Sequence, residues 1–313
     1  MNLFITTFES VAVLLGIGLI GFWIIRRHII PMNILRFLSP LALDIALPSL
    51  IFVNIIQGFN PSDFPDWWQL PLWWGFFTII AAGLTFVFMF ISKKENRREF
   101  ALSLFYQNGI FFPLAILAGM FGNDSPLLVF LFLFAIFYPA FFFSTSQIFF
   151  KKELKGNLNW RRIIHPVLII TLLAVLIKIG DFKTYIPNFV IDIFALLGGM
   201  TIPLIMLILG GNIYVDFRKK GHLQIIEILK FVTIKNIIFP LIFIGFLLFI
   251  RPVYEIALLL LLQSAVPPVT AVPLVAERFG GNRTIVNQFI VSSFISSLIT
   301  IPIMVVIFSN YFL

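Results

Sequence analysis

Two long apolar segments of this chain are flawed in the middle, and the flaws limit what the chain can fold into. Residues 99–121 are apolar except for QNGIFFP at their centre, Gln107 to Pro113. Residues 254–276 are equally apolar around QSAVPPVTAVP, Gln263 to Pro273. In hydrocarbon each backbone N–H and C=O needs a partner within its own segment, and an orphan costs several kcal/mol. Proline removes a donor and glycine loosens the helix. Such interruptions survive at membrane depth only where protein or a water-filled cavity takes up the freed groups. A pair of interrupted segments, one in each half, is the sequence mark of a substrate site built from broken helices.

That these segments lie in a membrane follows from composition. The chain has 313 residues, 60% of them hydrophobic and only 12% charged, more apolar surface than a soluble domain of this size can bury. The 40 phenylalanines read as lipid-facing and packing bulk. The absence of cysteine excludes disulfides, thiol catalysis and cysteine metal sites. The first segment lacks the basic flank and small-residue cleavage site of a signal peptide.

Hydropathy divides the chain into ten spans, near 3–25, 38–57, 71–91, 99–121, 126–150, 163–180, 188–213, 223–250, 254–276 and 285–309. Each is about the length that crosses a bilayer. The loops between them alternate in charge. Residues 26–36, 93–98, 151–162, 217–220 and 277–283 carry 17 of the 22 Lys and Arg, whereas 60–68 and 122–125 carry none. The net charge of +8 therefore orients the chain, basic loops in the cytoplasm and both termini outside, and calls for no nucleic acid. Trp67, Trp68, Trp73 and Trp74 suit the outer interface.

Five spans precede the 151–162 loop and five follow it. An odd number per half inverts the second half relative to the first. The expected fold is all-α and membrane-integral: a first five-helix repeat at 1–150, a cytoplasmic linker at 151–162 and an inverted second repeat at 163–313. Short echoes agree, LPSLIF (47–52) with IPLIML (202–207), and MFGND (120–124) with RFGGN (278–282). The broken fourth and ninth helices would cross. Asn108 lies nine residues into the fourth span and Gln263 nine into the ninth, each about 14 Å deep from opposite faces, near the middle of a ~30 Å core. Positive half-helix N-termini there would favour an anionic group, and freed carbonyls a cation or a polar substrate group. The candidate site is Gln107, Asn108, Gly109, Pro113, Gln263, Pro267, Pro268 and Thr270. Packing offers an alternative for each, since Asn and Gln bond across helices and prolines kink them.

Lys235 has two readings. If the core of its span begins near Phe231 it is ~6 Å deep and snorkels to the cytoplasm; if near Leu223 it is ~18 Å deep and becomes a substrate-binding or counter-ion candidate. Lys230 is expected to snorkel. Asp44 and Asp192 lie near helix ends, and His28, His165 and His222 fall in cytoplasmic loops or helix ends, a poor arrangement for a metal cluster. Ser292, Ser293, Ser296 and Ser297 have no base near them in depth, so an intramembrane enzyme is disfavoured. The chain contains no GxxxxGK[ST] motif, which argues against an ATP-driven pump.

Several of these segments resemble one family. QNGIFFPLAILAGMFG (107–122), SAVPPVTAVPLVAERFGGN (264–282), LALDIALPSLIFVNI (41–55), PLIMLILGGNI (203–213) and KNIIFPL (235–241) are similar to helices of the auxin efflux carriers. The short 151–162 loop resembles that of bacterial members. The resemblance implies a scaffold part and a mobile transport part around the crossover. It also implies movement of a small organic anion, such as a carboxylate, across the plasma (inner) membrane by a secondary carrier. Asn108, Gly109 and Pro113 would line one side of the crossover, and Pro267, Pro268 and Thr270 the other. Where family members often carry an asparagine after the ninth-helix proline, this chain has Thr270 and Ala271. No cofactor is implied. The coupling ion stays open between proton, sodium and none, a sodium-coupled symporter is the alternative, and a homodimer is compatible with the pattern.

Overall fold

A computed structural model describes residues 3–123, 125–150, 166–218 and 222–312. The 151–162 linker lies outside the described residues. The described residues are mainly helical: α1 (Leu3–Arg26), α2 (Ile34–Pro40), α3 (Leu47–Gly58), α4 (Leu70–Phe88), α5 (Arg97–Phe105), α6 (Phe111–Phe121), α7 (Pro126–Phe134), α8 (Tyr138–Thr145), α9 (Pro166–Ile179), α10 (Asn188–Gly199), α11 (Thr201–Arg218), α12 (Ile225–Thr233), α13 (Phe239–Ile250), α14 (Tyr254–Ala265), α15 (Val272–Arg278) and α16 (Arg283–Phe312). Among the described residues, six continuous stretches are long and apolar enough to cross a membrane: Leu3–Arg26, Phe37–Gly58, Trp67–Ile91, Asn188–Val215, Ile225–Ile250 and Arg283–Phe312. Four shorter apolar helices, Phe111–Phe121, Pro126–Phe142, Pro166–Ile179 and Tyr254–Ala265, fall within the other four expected spans.

Two of the long stretches contain a π-helical turn, Leu41–Ala46 between α2 and α3 and Ile234–Ile238 between α12 and α13. A π turn inserts a residue, shifts the face that follows and often marks a functional position. The fifth span is interrupted at 135–137, between α7 and α8, which the hydropathy did not indicate.

Large apolar side chains cover the outside. Phe249, Leu196 and Ile79 are 89%, 78% and 73% exposed. A continuous apolar exterior of this kind is stable against lipid. Inside, α1 lies on α11 with almost no side chain between them: a Cβ on Gly210 would stand 1.7 Å from the Gly18 carbonyl oxygen. Small residues permit this approach, and close packing holds helices together where no hydrophobic effect separates them from lipid. α3 packs on α9 and α10, and α1 also reaches α6 and α16. The two broken segments, α5–α6 and α14–α15, meet in the interior.

Candidate functional site

The helix of the fourth span stops at Phe105 and restarts at Phe111; that of the ninth stops at Ala265 and restarts at Val272. Between these ends the two chains run extended and antiparallel. Gln107 faces Pro268 across a single β-bridge. The Asn108 N–H donates to the Pro267 carbonyl at 2.7 Å, and the Val269 N–H donates to the Tyr106 carbonyl at 2.9 Å. In this register Pro268 occupies a non-hydrogen-bonded position, where its missing N–H costs nothing. The interruptions thus satisfy part of each other's backbone, which is what burial in hydrocarbon requires.

Side chains complete the junction. Gln107 Nε2 donates to Gln263 Oε1 at 3.1 Å, and Gln263 Nε2 donates to the Gly109 carbonyl at 2.7 Å. The Gly109 N–H turns back to the Gln107 carbonyl at 2.8 Å, and Tyr138 Oη, at the start of α8, donates to that same carbonyl. Gln107, Asn108, Gln263 and Pro268 are all buried.

Asn108 is the exception in bonding. It is 1% exposed, and neither Oδ1 nor Nδ2 has a partner. An unsatisfied buried amide costs about 1–3 kcal/mol. It stands one residue from the glycine, between the negative C-terminal end of α5 and the positive N-terminal end of α6. With one donor group and one acceptor held in fixed positions, it can receive a polar ligand without first breaking an internal bond.

The structure therefore brings together Gln107, Asn108, Gly109, Gln263, Pro267 and Pro268. Gln107 and Gln263 have their amides committed to one another and to Gly109. Thr270 lies beyond the bridge, half-buried in the turn that leads to α15. Pro113 is buried in the first turn of α6, where a helix needs no N–H from it, so it starts the second half-helix and the break itself is Tyr106 to Ile110.

Lys235 does not snorkel to the end of its span. It is 1% exposed, in the π turn before α13, and its Nζ donates to the Ser264 carbonyl at 3.3 Å. Lys230 behaves differently. It is about a third exposed and reaches the Ile91 carbonyl and Glu227 at the end of its span. The next residue after Lys235, Asn236, is fully used: its Nδ2 donates to the Ser293 carbonyl and Ser296 Oγ, and its Oδ1 accepts from Ser293 Oγ. Ser293 and Ser296 of α16 are thus interhelical hydrogen-bonding groups, whereas Ser292 and Ser297 bond carbonyls of their own helix. Tyr138 and Ser264 had no separate signal in the sequence. Tyr138 reaches the crossover only because the fifth span breaks just before it.

A cavity of about 370 Å³ opens among α3, α6, α7 and α10. Its wall includes Asn54, Gln57, Asn123, Ser125 and, at the side of α6, Leu114. None of the crossover residues lines it, so the Asn108 amide is closed off from this cavity. The volume suits a small ligand.

A family model described as a membrane transport protein matches residues 6–155 and 150–305, nearly the whole chain. No curated protein matches the chain.

Proposed function

The chain belongs to the membrane transport protein family, that of the auxin efflux carriers, and from this premise we propose that it is a secondary carrier of a small organic anion such as a carboxylate. The observation that carries the reading is the Asn108 amide, buried at the junction of two broken helices with both polar atoms unpartnered. The α6 N-terminus beside it favours negative charge. The cavity among α3, α6, α7 and α10 would be the approach, and binding at Asn108 would follow a movement that joins the two.

Alternating access suits two inverted five-helix repeats, at 1–150 and 163–313. Packing supports this arrangement. The first span lies on the seventh (α1 on α11) and, equivalently under inversion, the sixth lies on the second (α9 on α3). The third meets the fifth (α4 on α7) as the eighth meets the tenth (α12 on α16). Each repeat has its break in its fourth member, and the breaks bond to one another. The close-packed α1–α11 pair would be the scaffold, and the crossover the centre of the moving part. Basic loops would face the cytoplasm and both termini the outside of the plasma membrane.

The test is uptake into liposomes containing the purified protein, with a panel of small carboxylates and with sodium or pH gradients imposed in turn. Saturable uptake of one of them, with affinity weakened in Asn108→Ala, supports the reading. Uptake of none of them would reject it.

A further inference from the structure

Lys235 brings an ionisable amine into the membrane interior, and among the described residues no carboxylate faces it. Its turn is packed by α12, α13, α14 and α16. On α12, Glu227 bonds Lys230 at 2.8 Å and also accepts from Ser92 Oγ and the Lys93 N–H. α13 has no charged residue. On α14 the acid is Glu255, in the first turn, nine residues or about 14 Å from Ser264. On α16, Arg283 pairs with Glu277 of α15. The ammonium instead meets the Phe239 ring, 5.3 Å from its centroid, and the Ser264 carbonyl.

That carbonyl is open for a reason written in the chain. In a continuing helix the N–H of residue 268 would donate to it, and Pro268 has no N–H. The last carbonyls of α14 also form the negative end of its dipole. In carriers with broken helices, half-helix C-termini and unwound carbonyls are where coupling cations bind.

We propose that the Lys235 ammonium is this protein's resident cation, occupying the carbonyl end of α14 that Pro268 leaves open, so that transport needs no sodium ion. The proposal rests on the carrier reading and deepens it. The Lys235 amine next to the crossover supplies a counter-charge for an anion at Asn108, and no metal has to enter with it.

The experiment is thermal unfolding of the purified full-length protein in nanodiscs, in NaCl and in choline chloride at equal ionic strength. The wild type is expected to show the same midpoint in both salts. Lys235→Met should lower the midpoint in choline, and sodium should recover part of that loss by filling the vacated position. Lys235→Arg should stay close to wild type and indifferent to sodium. A wild type stabilised by sodium over choline, or a Lys235→Met protein as stable as wild type or indifferent to sodium, overturns the proposal. Should Lys235→Met fail to fold, the wild-type comparison and Lys235→Arg still decide. None of these measurements needs a transported substrate, so failure to find one counts against the proposed function alone.

Discussion

Gln263 and Gly109 are fitted to one another across the crossover. Gln263 Nε2 donates to the Gly109 carbonyl at 2.7 Å, and a Cβ on Gly109 would stand 2.3 Å from Gln263 Oε1. The glycine lets the glutamine lie flat against the backbone, and the glutamine satisfies a carbonyl that the broken helix has freed. One residue type requires the other.

Gly109→Ala should therefore displace Gln263 and loosen its bonds to Gly109 and Gln107. Overpacking of a tight interior costs roughly 1–3 kcal/mol. The measurement is the unfolding midpoint in nanodiscs together with carboxylate uptake. A variant with unchanged midpoint and uptake would show that the junction tolerates a side chain there.

Asn108→Ala should separate binding from stability. The amide has no internal partner, so its removal leaves nothing newly unsatisfied and the midpoint should hold or rise. A hydrogen bond to a charged ligand is worth roughly 1.5–3 kcal/mol, so affinity for a transported carboxylate should fall about 10- to 150-fold. Near wild-type affinity in folded protein would remove Asn108 from the site.

Gly210→Val should disrupt the α1–α11 pair, where even a Cβ meets the Gly18 carbonyl oxygen at 1.7 Å. The loss should be at least the roughly 1–3 kcal/mol of ordinary overpacking, seen as reduced folded yield and a lower midpoint. Gly75→Ala is the control. Nothing lies within 4 Å of its Cβ position on α4, and alanine favours a helix over glycine by about 1 kcal/mol. Equal effects from the two substitutions would refute close packing as the role of Gly210.

Orientation can be read directly in a chain with no native cysteine. With basic loops inside, an impermeant thiol reagent applied to intact cells should label Asn60→Cys and spare Lys155→Cys. The reverse pattern would turn the topology over.

The sequence alone determined that this chain lives in a membrane and where two of its apolar segments are broken. Those properties depend on local composition and on residues that cannot continue a helix, such as Pro267 and Pro268. It also marked Gln107, Asn108 and Gln263 as polar groups at similar depth. Only the tertiary structure decided how they divide. Gln107 and Gln263 bond to each other, whereas Asn108 has nothing, because the antiparallel register of two segments far apart in the chain points one amide away from the other two. The place of Lys235 was undecided for a similar reason. Depth along a helix does not say which way a side chain points, and in the π turn at Ile234–Ile238 Lys235 points to Ser264 instead of running to the end of its span. Tyr138 joins the site through a break in α7–α8 that apolar residues on both sides concealed. Hydropathy records how much a segment avoids water; hydrogen-bond partners are set by the packing of segments against each other.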